Sequence, residues 1–174
     1  YQIARAYAAR ALKLDRNSAE ANFVMSVAMG RLALVSSGKD MISYVKDIKT
    51  FADRAVQLAP NDFRGYHVLG KWYYEITHLG SFKRTAVRVF YGAFPEASYS
   101  HSIRAYEKSR QLNPAFNLNY LELAKVYNQI GQKEKAISLL QTLNSLPVRI
   151  QDDIRVKREA LRLQETISQS LRNS

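Results

Sequence analysis

The sequence predicts an all-α fold, a superhelical solenoid of antiparallel helix pairs, and three observations predict it. Gly (7) and Pro (4) are scarce, and they fall between apolar-periodic blocks rich in Ala, Leu, Lys, Arg and Gln, so helix is favoured nearly everywhere. A helix ending recurs as ARALKLDRN at 9–17, ADRAVQLAPND at 52–62 and YEKSRQLNPAF at 106–116. Each ending is followed by another amphipathic block, the mark of paired helices repeated along the chain. At 174 residues the chain is long enough to bury one core without disulfides, and a single domain over 1–174 is expected.

The elements follow in order. A first helix is expected over 2–14, closing on Leu14 before Asp15 and Asn17. The second, over 19–36, contains the most apolar run, ANFVMSVAMGRLALV, whose 15 residues include Asn22 and Arg31. A bilayer needs about 20 apolar residues, so this run reads as a buried helix and no transmembrane segment is expected. A Ser36-Ser37-Gly38 turn leads to a helix over 40–58. Pro60 lies two residues past Leu58, where proline cannot continue a helix but can open the next, expected over 62–78. An insert at about 79–97 is bounded by Gly80, Gly92 and Pro95 and holds a short helix at 82–91. Helices at 98–112, 118–130 and 133–143 come next, with Pro114 and Gly131 as breaks. The last, over 151–171, has Asp152 and Asp153 in its first turn and is expected to cap the stack.

Two of these helices carry a recognisable spacing. Tyr66, Leu69, Gly70 and Tyr73 fall at W-x2-L-G-x2-Y, the first-helix signature of tetratricopeptide repeats. Tyr120, Leu123, Ala124 and Tyr127 repeat it, followed by Gly131 in the turn and then Ala136 and Leu140 at A-x3-F spacing. A small residue at Gly70 or Ala124 lets two helices approach, and the aromatic positions fill the seam, so these tyrosines read as core. The period is unusual. Simple arrays repeat every ~34 residues, whereas Leu14 to Leu58 spans 44 and Leu58 to Leu112 spans 54. About three repeats plus flanking helices result, with only the unit at 117–146 of ordinary length.

The run GKWYYEITHLGSFKRTAVRVFYGAFPEASYSHSIRAYEKSRQLNP, preceded by AVQLAPNDFRGYHVLG, resembles the tetratricopeptide-like domain of the regulator of microtubule dynamics family. That family includes the mitochondrial protein tyrosine phosphatase-interacting protein. The likeness covers about 19–163, includes the overlong second repeat, and is nearest to a bacterial branch through GRLALVSSGKD and GAFPEAS. It implies a helical-repeat domain without catalysis. In animal members such domains are associated with microtubules or with contacts between organelle membranes, and one binds and moves phospholipid. Where the family often has Trp-Phe-Glu-Arg, this chain has Ser81-Phe82-Lys83-Arg84, which loses the Trp and reverses a charge.

A repeat array binds along its concave face, lined by the first helix of each pair. Opposite the Leu69 and Tyr73 stripe lie Arg64, His67, Lys71 and Tyr74; on the next repeat lie Leu121, Lys125 and Asn128. This row of cations and an amide suits a carboxylate, a phosphate or an acidic peptide; the alternative is a charged exterior that keeps the stack soluble. In the insert, Lys83, Arg84 and Arg88 interleave with Phe82, Val87, Phe90 and Tyr91, the profile of a lid over a groove or of an interfacial membrane helix.

The net charge of +11, from 26 basic and 15 acidic residues, implies attraction to acidic surfaces without choosing among lipid, acidic peptide and nucleic acid. Nucleic acid is disfavoured because no recognised module or single basic stripe is present. Zero cysteines exclude disulfides, thiolate metal sites and a cysteine nucleophile. His67, His78 and His101 lack ligand-spaced companions, and Glu75 with His78 is one pair, so no metal, cofactor or catalytic residue is expected. The chain starts inside a helical pattern, so Tyr1 is expected not to be the natural start; the compartment stays open, with export or membrane association compatible with a bacterial source. The sequence therefore points to a non-enzymatic scaffold or adaptor for a protein or peptide segment, the alternative being a domain for phospholipid or another anionic ligand.

Overall fold

The computed structural model describes residues 1–78 and 96–173, which form eight helices. They are α1 (Gln2–Leu14), α2 (Ala19–Ala33), α3 (Gly38–Leu58), α4 (Phe63–His78), α5 (Tyr99–Leu112), α6 (Asn117–Gln129), α7 (Lys133–Ser145) and α8 (Gln151–Arg172). The expected short helix at 82–91 lies outside the described residues. The second helix ends three residues earlier than its periodicity suggests, at Ala33, and α3 begins at Gly38, whose φ of 56° makes the turn that the Ser36-Ser37-Gly38 sequence predicts.

Local chemistry sets the helix starts. The Ser18 hydroxyl accepts from the Ala21 amide at 3.2 Å, and the Ser98 hydroxyl accepts from the His101 amide at 3.2 Å. The Asp153 carboxylate reaches back to the Arg149 and Ile150 amides at 2.8 and 3.1 Å. Gly131, at φ 78°, turns α6 into α7.

Side-chain packing then arranges the helices as pairs, α2 with α3, α4 with α5 and α6 with α7, while α1 packs on α2 and α8 closes against α6 and α7. The first helices touch in turn, α2 to α4, α4 to α6 and α6 to α8, and so line the inner face of the stack. The core lies in clusters at the joints between neighbouring helices. Met25, Met29 and Leu32 cluster with Ala8; Ala52 and Leu69 cluster with Ala105; Leu140, Leu143, Val156 and Ile167 gather around Ala124 and Ala136.

Gly70 is where two helices come closest. A Cβ built there would stand 2.7 Å from the ring of Tyr106, which is 0 % exposed, and the Ser102 hydroxyl donates to the Gly70 carbonyl at 2.7 Å. The small residue in the repeat signature is thus required by contact with α5. Trp72, beside the signature rather than within it, is also buried and donates its indole N–H to the Val45 carbonyl at 2.8 Å, fixing α4 on α3.

Candidate functional site

The inner face is built from side chains of α2, α4, α6 and α8, and its charged groups pair across the helix joints. Arg64 lies over the Phe23 ring at 4.4 Å and forks to Glu20 of α2, with nitrogen–oxygen distances of 2.6 and 3.1 Å. The same guanidinium holds Asp62 at 2.6 Å, and this hydrogen bonding keeps the Asp62 carboxyl below the ordinary value despite its partial burial.

The centre of the face is Glu122 of α6, which is 7 % exposed. One carboxylate oxygen takes Lys71 of α4 at 2.7 Å and the other takes Lys125 at 2.7 Å. Burial acts to raise the Glu122 carboxyl, but the two ammonium groups outweigh it and hold the group below the ordinary carboxylate value. Lys71 also reaches Glu75 at 2.9 Å, and Lys125 reaches Glu159 of α8 at 2.7 Å. Burial opposes the charge on both lysines; their carboxylate partners raise them nonetheless. Arg155 bonds to Glu159 and Asp152 and extends the line. A chain of alternating charge therefore runs Glu75, Lys71, Glu122, Lys125, Glu159, Arg155, Asp152.

His67 is drawn into the joint between α4 and α6. Its Nδ1 lies 2.9 Å from the Asn119 Oδ1, while the Asn119 amide nitrogen donates to the Tyr106 carbonyl at 2.9 Å. That orientation of the amide makes Nδ1 the protonated nitrogen of a neutral ring. Burial lowers the imidazole below its ordinary value, against the opposing Asn119 bond, and Phe116 packs on it at 4.9 Å. Tyr74 stacks on His78 at 5.6 Å with Lys71 5.7 Å from its ring. Asn128 is half-buried near the end of α6, where its carbonyl accepts from Gly131.

The row read from the sequence is thus present, but as a row of paired charges. Lys71 and Lys125 are brought together by a shared carboxylate; Arg64 is held apart with α2; His67 serves the helix joint. Glu20, Asn119, Glu122 and Glu159 were missed because each meets Arg64, His67, Lys71 or Lys125 from a different helix, dozens of residues away. A signal existed in Glu122 and Lys125, three apart on one helix. Phe82, Lys83, Arg84 and Arg88 lie outside the described residues. Among the described residues no group of His, Cys, Asp and Glu could hold a metal ion, and no helix is long and apolar enough to cross a membrane.

Comparison with known proteins places this architecture among relatives. The family profile described as Regulator of microtubule dynamics protein 1-3 matches residues 1–168. Regulator of microtubule dynamics protein 1 of Bos taurus is 26% identical over 158 residues, covering 90% of this chain and 50% of the bovine protein. Regulator of microtubule dynamics protein 3 of Rattus norvegicus is 26% identical over 138 residues, covering 79% of this chain and 29% of the rat protein. The chain thus spans half the length of the bovine relative, and less of the rat one. Among solved structures, a thermophilic TPR protein of Thermus thermophilus superposes with a TM-score of 0.68 at 18% identity, covering 94% of this chain and 72% of that one. MamA superposes at 0.58 and 17% identity, covering 95% and 85% respectively. At such identity these two show the fold, an all-α tetratricopeptide-like superhelix.

Proposed function

The chain belongs to the regulator of microtubule dynamics family, and from that premise we propose that it is a non-enzymatic adaptor whose inner face takes up an acidic protein or peptide segment. A tetratricopeptide-like scaffold suits protein interaction in general; the finer reading rests on one observation, the pair of ammonium groups that buried Glu122 holds side by side. Glu122 sits in the wall and stays. The outer partners, Glu75 and Glu159, have side chains 56% and 40% exposed. Exposed ion pairs contribute only about 0–1 kcal/mol, so carboxylates of an incoming segment can replace them at small cost. Each lysine would then keep one bond to the wall and make another to the ligand, a charge-assisted bond with fixed geometry. Arg64, Tyr74 and Asn128 flank this centre, and His67 braces it.

The test compares partner recovery from cell extract by the parent chain, by Lys71→Gln/Lys125→Gln, and by Glu75→Gln/Glu159→Gln. The lysine variant is expected to lose the partner. The glutamate variant, with its internal competitors removed, is expected to keep it or bind it more tightly. Equal recovery by all three, with circular dichroism showing intact helix, would sink the proposal.

A further inference from the structure

One repeat lacks the aromatic ring that opens the signature in the others. Aligning the recurrent endings on Leu14, Leu58 and Leu112 sets Asn22 of α2 level with Tyr66 of α4 and Tyr120 of α6, and Met25, Ser26 and Met29 continue the spacing. Tyr120 is buried, and its hydroxyl donates to the Pro114 carbonyl at 2.9 Å. Arg16 stands level with Pro114, and the Asn22 amide nitrogen donates to the Arg16 carbonyl at 3.3 Å and to the Ser18 carbonyl at 2.8 Å. Asparagine thus keeps the hydrogen bond that tyrosine makes in the third unit and omits the ring.

Two adjoining cavities open beside Asn22, of about 640 and 490 Å³, between α1 and α3, and Asn22 and Phe51 line both. Those volumes suit a binding cleft. Leu12 and Met25 extend the apolar floor. Asn22 is 3% exposed, and with its nitrogen committed to two carbonyls its Oδ1 is left as an acceptor in that floor. The corresponding ring in the third unit, Tyr120, clusters with residues of α6, α7 and α8 and with none of α4, the helix paired with α5. By the same register, the cleft beside Asn22 is not the seat of a helix paired with α1.

The rim is basic. Lys13 and Arg16 are exposed, and no carboxylate among the described residues pairs with them. Arg54 is held by the neutral oxygens of Asn17 and Gln57, and Asp53, the one acid lining the cleft, is taken by Lys49 at 2.6 Å. From the missing ring and this uncompensated charge we infer that the cleft is a second docking site, which takes an acidic protein segment by receiving one of its tyrosines. The ring enters the space that Asn22 leaves, its hydroxyl donates to Asn22 Oδ1, and the flanking carboxylates meet Lys13, Arg16 and Arg54. A buried aromatic anchor inside a charged rim is the usual division of labour at such a surface. The site is separate from the Lys71 and Lys125 pair and does not depend on it.

The test is an NMR titration in the Lys71→Gln/Lys125→Gln background, so that the inner face does not compete, with the peptide acetyl-Asp-Glu-Asp-Tyr-Asp-Glu-Asp-amide as probe. The Asn22 side-chain amide and the backbone amides of Leu12, Met25 and Phe51 are expected to shift. The same peptide with alanine for tyrosine should bind at least tenfold more weakly, and raising salt from about 0.05 to about 0.5 M should weaken both. Asn22→Tyr restores the residue of the other repeats, so it is expected to fill the cleft, raise the melting temperature and lower probe affinity at least tenfold. Lys13→Glu/Arg16→Glu alters only exposed side chains and keeps the test decisive if Asn22→Tyr fails to fold; it should lower affinity at least tenfold with circular dichroism unchanged. No shift at the cleft, equal binding of the two peptides, or parent-like binding by folded Asn22→Tyr or by Lys13→Glu/Arg16→Glu would each overturn the inference. Cleft resonances that move with chain concentration alone would make the occupant a second copy and overturn it equally.

Discussion

Replacing Gly70 with alanine sets two effects of opposite sign against each other. Alanine is the better helix former by about 1 kcal/mol, so on an open helix surface the substitution stabilises. Here the new methyl would stand 2.7 to 2.8 Å from three ring carbons of Tyr106. Carbon atoms rest at about 3.5–4.0 Å, so α4 and α5 must part by roughly 1 Å or the ring must move. The ring is fully buried, and its neighbour Ser102 ties the Gly70 carbonyl to α5, which leaves little room for either. Overpacking of this kind costs about 1–3 kcal/mol. The expected balance is a net loss of about 0–2 kcal/mol, which lowers a urea midpoint by up to roughly 1 M at a slope of about 2 kcal/mol/M. A double-mutant cycle identifies the cause. With Tyr106→Ala in place the ring atoms that meet the new methyl are absent, and the same Gly70→Ala change should become neutral or stabilising, a coupling of at least about 1 kcal/mol. A higher midpoint for Gly70→Ala in the parent chain, or an equal effect in both backgrounds, would refute the close approach.

Glu122→Gln removes the charge shared by Lys71 and Lys125; because both lysines keep a second carboxylate, the loss should be about 1–3 kcal/mol at neutral pH, read from urea titration. The Glu122 carboxyl lies below its ordinary value of 4.5 in the fold, so its contribution is complete above that value and disappears as pH falls through the lowered one; the parent should lose stability there and Glu122→Gln should lose less. Lys71 and Lys125 are raised above 10.5, so their contribution fades only as pH climbs past that value, measurable in the alkaline arm of the same titration. Trp72→Phe keeps most of the ring but drops the bond to the Val45 carbonyl, for an expected loss of about 1–2 kcal/mol by thermal and urea denaturation. Ser18→Ala removes the hydroxyl cap of α2 and should cost about 1 kcal/mol in the same assays.

What could be read in the sequence was what local periodicity controls. Gly70 and Ala124 declared the close approaches because a small residue at a fixed place in a helical pattern has few other uses, and Leu58-Ala59-Pro60 declared a helix end because proline forbids continuation. Pairing between helices was less legible. Arg64, Lys71 and Lys125 looked like a cationic row because their own helices supply the cations, while Glu20, Glu122 and Glu159 arrive from neighbouring helices 44, 51 and 34 residues away. Trp72 escaped notice for a related reason: it follows the small residue of the signature, and only the placement of α3 decides that this side of α4 is covered. Helix ends shifted by one to three residues; at the starts of α3 and α5 the turn at Gly38 and the Ser98 cap, rather than hydrophobic period, set the limit.

The uneven distribution of polar struts along the inner face bears on how the superhelix flexes. Between α4 and α6 the inner edge is tied by Lys71 to buried Glu122 and by His67 through Asn119 to the carbonyl of Tyr106, and α8 is held to α6 by the buried cluster of Tyr120, Ala124, Val156 and Ala160. Between α2 and α4 it is tied by Arg64 and the exposed Glu20. Opening the groove stretches the inner edge, so the restoring force is strong along α4, α6 and α8 and weak at α2. The molecule should bend like a bow with one stiff limb and one compliant limb. On the proposed function, a segment laid along the groove would meet a fixed template over three helices and a wall at α2 that can swing to its width.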